Sequence, residues 1–216
     1  ACGWFNGFLY NKIGIPTIIG TLGTGQLFLG AALSITRGVS ISGISTVFSG
    51  IGNYALFGLF PVPVLIYAVF ALLVWFSMRA TTFGQKLFMT GSNVSAAKFS
   101  GIDTAKINYT AHIWSGVLCA FGGLIMSSRT NSANANFGNS YVTLAILVAV
   151  FGGADSDGGY GSVAGVTVAL FVLQSLVSTL NMFPGVSQFY RDLIWGVALI
   201  LMVVVNSLAK QRRSRV

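Results

Sequence analysis

The stretch that decides the fold is YALFGLFPVPVLIYAVFALLVWFSM, residues 54–78, which holds 25 residues and no charged side chain. A helix of about 20 apolar residues crosses the roughly 30 Å hydrocarbon core of a bilayer. This stretch therefore predicts a membrane-spanning helix, and the rest of the chain can be searched for others of the same kind.

Five more charge-free apolar runs are found by the same criterion. With the first, they give six predicted spans: Gly14–Thr36, Tyr54–Met78, Ile107–Ser127, Tyr141–Gly153, Val163–Asn181 and Leu193–Leu208. The opening residues Ala1 to Tyr10 are apolar and lack the basic residues that begin a signal peptide. They predict a partial N-terminal span, as in an N-terminally truncated chain. We expect an all-α, polytopic transmembrane bundle that forms one membrane domain over residues 1–216, with its fourth span short enough to be broken or re-entrant.

The composition excludes several classes of function. Charged residues make up 7% of the chain, against about 25% in soluble proteins. The chain has one His, two Cys 117 positions apart and no Glu, so no metal-ligand spacing is present. Its basic residues are spread between apolar runs, which disfavours nucleic acid as a partner. His112 lies within a predicted span, where a structural or a pathway role is open.

The basic residues predict an orientation, because short cytoplasmic loops of membrane proteins keep Lys and Arg. A cytoplasmic C-terminus places nine of the 12 cations inside: Lys12, Arg79, Lys86, Lys98, Lys106, Lys210, Arg212, Arg213 and Arg215. Three lie outside: Arg37, Arg129 and Arg191. The turn 154–162 also falls inside, and Arg191–Asp192 is either an interfacial pair or a docking contact.

The cytoplasmic loop 79–106 is the most informative polar segment. Ser92 or Asn93 is a candidate cap for a short helix over residues 95–99. The helix would end at Gly101, since glycine accepts a left-handed backbone. Such a helix between two spans suits docking to a partner, although a plain connector explains the same residues.

The glycine-rich turn after the fourth predicted span does not bind nucleotide by a known motif. A P-loop needs Lys followed by Ser or Thr after its last Gly, and no Gly-Lys pair occurs in the chain. The turn also lacks a bidentate carboxylate at the twelfth position of a calcium loop, which is Val166. Its glycines, which allow close backbone approach, are candidate gate or turn residues: Gly152, Gly153, Gly158, Gly159 and Gly161.

Four motifs in order resemble the permease subunits of ABC importers of the ribose, galactose, xylose and autoinducer-2 type. Residues 91–102, GSNVSAAKFSGI, are similar to the family's Gly-Gly-Asn-x-x-Ala-Ala-x-x-Ser-Gly-Ile loop, with Val94 where many members carry Glu. The other three are Asn6-Gly7 with residues 15–24 (IPTIIGTLGT), residues 132–138 (SANANFG), and Phe151-Gly152-Gly153 with residues 158–162 (GGYGS).

The resemblance implies a permease of an ATP-driven importer for a monosaccharide or similar small polyol, in a bacterial cytoplasmic membrane. It implies that the chain is not itself an enzyme and holds no cofactor. The implied partners are an ABC ATPase that binds ATP, a second permease subunit and a periplasmic or extracellular sugar-binding protein. The coupling loop that meets the ATPase would contain Gly91, Ser92, Asn93, Ala96, Ala97, Ser100 and Gly101.

Uncharged polar residues are candidates for the sugar pathway, because amides and hydroxyls bind sugar hydroxyls without a buried charge. The candidates are Thr21, Thr24, Asn131, Asn134 and Asn136. An ordinary polar exported loop explains the asparagines equally well. A branched-chain amino acid permease and a passive small-solute channel remain alternatives. An intramembrane enzyme is disfavoured, because the spans carry no pair of catalytic groups.

Overall fold

The computed structural model of the chain describes residues 1–56, 60–155, 158–180, 182, 193–198, 200–202 and 204. These residues divide into two compact units, of which the first is Ala1–Gly138 and the second begins at Asn139. The C-terminal basic cluster and the Arg191–Asp192 pair lie outside the described residues.

The first unit is built almost entirely of helices. They are α1 (Cys2–Phe8), continued by a π-helical turn at Leu9–Ile13, then α2 (Thr17–Thr36), α3 (Thr46–Asn53), α4 (Val62–Ala80), α5 (Thr82–Ser92), α6 (Val94–Phe99) and α7 (Thr104–Thr130). Four two-residue strands form two antiparallel pairs: β1 (Ile41–Ser42) with β4 (Ser132–Ala133), and β2 (Ala55–Leu56) with β3 (Phe60–Pro61). A 3₁₀ turn, Ala135–Gly138, ends the unit.

The second unit contains α8 (Asn139–Phe151), α9 (Val163–Leu180) and a further apolar helix described at residues 193–198 and 200–202. Its core is a small apolar cluster of Leu147, Val148, Ala169, Leu173 and Trp195. Gly152, just past the end of α8, allows close packing on α9, because a Cβ there would lie 2.6 Å from the Val166 backbone nitrogen.

Among the residues that the structure describes, four helices are long and apolar enough to cross a membrane. They are Thr17–Thr36, Val62–Ala80, Thr104–Thr130 and Val163–Leu180. Each overlaps a predicted span, but α4 begins at Val62 and not at the predicted Tyr54, because β2 and β3 pair in the chain before it. Helix α8 is short, as the sequence predicts. The expected all-α, polytopic fold is therefore confirmed.

Glycines bring α1 into close contact with α7. A Cβ on Gly3 would clash with the His112 carbonyl oxygen, and one on Gly7 would lie 2.9 Å from the Tyr109 ring. The His112 ring stacks on Tyr10, and its Nδ1 lies 2.8 Å from the Asn108 carbonyl oxygen. Small residues allow helices in a membrane to approach closely, and His112 thus lies at a helix interface.

The first unit has two distinct ends. The pairing of β1 with β4 joins the chain just after α2 to the chain just after α7. The α5 and α6 helices pack at the opposite end, where α7 begins. Arg37 and Arg129 lie toward the C-terminal end of α7. Five cations lie toward its N-terminal end: Lys12, Arg79, Lys86, Lys98 and Lys106.

The C-terminal end of α7 contacts α3 through Ser128, which is 1% exposed. The Ser128 hydroxyl donates to the Phe48 carbonyl oxygen and accepts from the Gly52 N–H at 2.8 Å. These two groups stand one helical turn apart, as the usual i to i+4 partners. One buried hydroxyl therefore binds the carbonyl and the N–H that a regular turn of α3 would pair with each other.

Candidate functional site

The candidate site is α6, the short helix at the cation-rich end of the first unit. Asn93 precedes it with an extended backbone, and its Oδ1 accepts a hydrogen bond from the Ala96 N–H at 2.9 Å. Asn93 is thus confirmed as the N-cap. Ser92 is wrong as a cap, because it is the last residue of α5.

The C-terminal end of α6 is closed by the predicted glycine. Gly101 has a φ of +77°, a left-handed conformation that glycine adopts without strain. The Gly101 N–H donates to the Lys98 carbonyl, and the Ile102 N–H donates to the Ala97 carbonyl, both at 3.0 Å. This pair of bonds is the Schellman motif, so a helix of six residues has a specific cap at each end.

One side of α6 faces the rest of the unit. Ala97 is 4% exposed, and Thr90 of α5 and Thr104 of α7 are also buried. The α6 helix packs on both α5 and α7. Because α7 is 27 residues long, α6 packs at one end of a helix that is long enough to cross a membrane.

Helix α5 (Thr82–Ser92) differs from the expected loop 79–106, which contains one short helix. The Thr81 hydroxyl accepts a hydrogen bond from the Gly84 N–H at 3.4 Å and begins α5. Gly84 allows the sharp corner after α4, since a Cβ would clash with the Met78 backbone. A structureless loop of this length is uncommon, and that rule together with the Thr81 cap was the available signal.

The first helical turn of α7 follows directly. Asp103 caps it, with its Oδ1 accepting from the Lys106 N–H at 3.1 Å, and its Oδ2 lies 3.1 Å from Lys106 Nζ. The backbone N–H of Lys106, and then its ammonium, lower the pKa of Asp103 below its ordinary value of 3.8. The carboxylate is exposed, so this pair organises the surface around α6 rather than a buried centre.

The five candidate pathway residues fall into two separate groups. Thr24 is buried and donates to Asn6 Oδ1 at 2.7 Å, whereas the Thr21 hydroxyl donates to the Thr17 carbonyl of its own helix at 2.8 Å. Thr24 stands 12 residues before the end of α2, about 18 Å along the helix axis.

The asparagines begin at the C-terminal end of α7. Asn131 ends that helix with a φ of +49°. Asn134 donates from Nδ2 to Ser40 Oγ at 2.6 Å, and its Oδ1 accepts from the Asn136 N–H at 2.8 Å. Asn134 and Asn136 are therefore in contact, and they fix the segment that follows β4.

Comparison with known proteins places the chain in a family. The family described as "Branched-chain amino acid transport system / permease component" matches residues 1–203. This chain belongs to that permease family. With four long apolar helices in its described part, it is a multi-pass membrane protein.

Several permeases are similar over nearly the whole chain. The ribose import permease protein RbsC of Bacillus subtilis is 32% identical over 93% of this chain and 62% of its own length. The autoinducer 2 import system permease protein LsrD of Yersinia enterocolitica is 34% identical over 98% and 65%, and that of Photorhabdus temperata is 31% identical over 98% and 65%. The chain thus spans less than two thirds of the length of these relatives. No solved structure matches it significantly.

The predicted turn glycines of this permease have two structural roles. Gly153, Gly158 and Gly159 have positive φ angles of 85°, 91° and 82°, which glycine alone adopts easily. Gly152 packs against α9, and Gly161 makes ordinary contact with Ala154 at 3.7 Å. The Asp155 N–H also donates to the Tyr160 carbonyl at 3.0 Å. The turn is therefore held by its own backbone, and a gating role stays a prediction.

Proposed function

We propose that this chain is the permease subunit of an ATP-driven importer that carries a monosaccharide or a similar small polyol across the bacterial cytoplasmic membrane. Membership of the permease family and the names of the ribose and autoinducer 2 relatives support the transport class. The observation that carries the proposal is α6, a doubly capped helix outside the four apolar helices, packed on the start of α7.

In this proposal α6 is the coupling helix on which the ATPase acts. Nucleotide binding by the ATPase displaces α6, and α7 carries the movement across the membrane, so that the pathway alternates between outward and inward access. The chain supplies neither nucleotide binding nor a cofactor. A second permease subunit completes the pathway, and an exported sugar-binding protein delivers the substrate.

The orientation follows from the cations of the first unit. Lys12, Arg79, Lys86, Lys98 and Lys106 mark the α6 end as cytoplasmic, because cytoplasmic loops are rich in Lys and Arg. Alternation of the predicted spans then makes the C-terminus cytoplasmic. The Asn131 to Asn136 segment faces outside, where the binding protein docks.

An uncharged substrate suits the polar groups of the apolar helices. Thr24 and Asn6 form a neutral pair inside the first unit. Hydroxyls and amides bind sugar hydroxyls while avoiding the cost of a buried charge. In the proposed pathway Thr21 and Thr24 bind the substrate within the membrane. Asn131, Asn134 and Asn136 bind it at the outer entrance.

The test is uptake into proteoliposomes that contain the full-length permease, its ATPase and its binding protein. We expect ATP-dependent uptake of one sugar from a panel that includes ribose, galactose, xylose and the branched-chain amino acids. Uptake of an amino acid alone would contradict the substrate class. Uptake that persists without ATP would instead identify a passive channel.

The coupling role of α6 has its own test in the same vesicles. Ala96 is exposed on α6, and Ala96→Glu should leave the permease folded while ATP hydrolysis no longer drives uptake. Asn53→Glu, at an exposed position at the other end of the unit and outside the Asn131 to Asn136 segment, is the comparison variant. If both variants transport as the wild type does, α6 is not the coupling element.

A further inference from the structure

Helix α6 has an outward face whose residues differ from those that shape the helix. Asn93 and Gly101 cap it, and Ala97 fills the contact with α5 and α7. The positions of the helix other than Ala97 are all exposed. Four of them, Val94, Ser95, Lys98 and Phe99, are here called the outer face of α6.

Phe99 stands at the outermost point of this face. Successive residues turn about 100° around a helix, so Ser95 and Phe99, each two positions from Ala97, lie nearly opposite the buried side. The Phe99 side chain is 93% exposed. Val94 and Lys98 are one helical turn apart, as are Ser95 and Phe99, so the four residues form one continuous surface.

The charge around this face is positive. Segment 79–106 carries Arg79, Lys86, Lys98 and Lys106 against Asp103 alone. Asp103 is paired with Lys106 at 3.1 Å, and Arg79 lies over the Trp75 ring at 5.5 Å. The described residues provide no ion pair for Lys98 or Lys86, which leaves both ammonium groups available to a partner.

Rigidity indicates a protein rather than a lipid surface as the occupant. Two caps and a buried contact fix the backbone of α6, so a partner that binds Phe99 orders the side chain alone and not the helix. An aromatic side chain held in this way suits a preformed apolar pocket, and such anchors dominate protein interfaces. A fluid lipid surface offers no such preformed pocket.

We propose that the outer face of α6 selects the ATPase, with Phe99 as the anchor in an apolar pocket and Lys98 paired with carboxylates at the rim of that pocket. This inference rests on the proposed function and adds the partner's chemistry to it. Asn93, Ala97 and Gly101 then set the shape of α6, whereas Val94, Ser95, Lys98 and Phe99 determine which ATPase is accepted.

The test measures ATPase binding to the full-length permease in nanodiscs. We expect Phe99→Ala to weaken binding about tenfold or more, as loss of an interface anchor does. Phe60→Ala is the matched control, because Phe60 is also exposed but follows β2 at the other end of the unit. It should bind the ATPase as the wild type does. Lys98→Glu should also weaken binding and reduce its dependence on salt, whereas Lys98→Arg should preserve it.

The other outcomes are distinct. A wild-type permease that neither binds the ATPase nor transports would overturn the proposed function itself. ATP-driven uptake together with ATPase binding by Phe99→Ala within about twofold of wild type would overturn only the anchor role. Equal losses in Phe99→Ala and Phe60→Ala would show general damage and reject it too. Hydrogen-exchange protection of residues 94–99 in nanodiscs without ATPase, lost in Phe99→Ala, would assign the side chain to lipid instead.

Discussion

The two ends of α7 are fixed in opposite ways. At its finish, Ser128 is buried and binds two backbone groups of α3. At its start, the Asp103 cap is exposed, and α6 packs there through a single buried alanine while its other side faces outward. The C-terminal end of α7 is thus buried by tight packing on α3. At its N-terminal end, α6 is held in place by caps and a buried alanine but presents an exposed surface. The N-terminal end of α7 therefore offers a surface to a partner, whereas its C-terminal end is occupied by α3.

The largest expected effect on stability comes from adding a side chain at Gly52, where α3 packs on the C-terminal end of α7. A Cβ on Gly52 would lie 2.7 Å from the Arg129 backbone nitrogen and 2.8 Å from Ser128 Oγ, and the backbone cannot move aside easily. We expect Gly52→Val to lower the free energy of unfolding by about 3 kcal/mol, measured by thermal unfolding of the detergent-purified protein.

Gly50 is the matched control for this variant. It lies on the same short helix, but a Cβ there meets nothing within 4 Å. Gly50→Val should therefore unfold close to the wild-type temperature. Equal destabilisation by the two variants would mean that α3 does not pack on α7 through Gly52.

A smaller effect is expected at the exposed end, from removal of the α6 cap. Asn93→Ala deletes the bond to the Ala96 N–H, and loss of such a cap costs about 1 kcal/mol. Since α6 is short, we expect faster amide hydrogen exchange across residues 94–99 with little change in global unfolding. Asn93→Asp should retain slow exchange.

Ser92→Ala separates the two candidate caps. Ser92 belongs to α5, so its loss should leave exchange in α6 unchanged. Faster exchange in Ser92→Ala than in Asn93→Ala would reverse the assignment of the cap.

The sequence predicts the elements whose causes are local. Charge-free runs of sufficient length predict α2, α4, α7 and α9, because a bilayer requires apolar side chains along the entire helix. The α6 cap and its glycine end were equally accessible, since both depend on residues within one or two turns. The close packing of Gly3 and Gly7 on α7 depends instead on which helices meet.

Contacts between residues far apart in the chain leave no local signal in the sequence. Ser128 lies 76 residues from Gly52, and no local pattern distinguishes it from Ser127 beside it. The pairing of Thr24 with Asn6 likewise depends on how α1 and α2 meet. Phe99 carries no motif signal at all, because its exposure follows from the burial of Ala97.

The smallest expected effect concerns the charge that begins α7. The Lys106 N–H and then the Lys106 ammonium stabilise the Asp103 carboxylate, so its pKa is lower in the folded protein than in the unfolded chain. A lowered pKa adds stability at pH values above the unfolded-state pKa, and that stability is lost as the pH falls through the folded-state pKa. We therefore expect the first turn of α7 to loosen only in strong acid, and Asp103→Asn to remove this pH dependence.

A carboxyl ¹³C NMR titration of Asp103 separates the two causes. Lys106→Met removes the ammonium but keeps the backbone N–H that lies 3.1 Å from Oδ1. We expect the Asp103 pKa to rise in this variant and yet stay below 3.8, because the backbone bond is the larger cause. A pKa that returns fully to 3.8 would instead assign the effect to the exposed ion pair. Exposed pairs of this kind contribute little to stability, so the cap would then be a weak anchor for the end of α7 on which α6 packs.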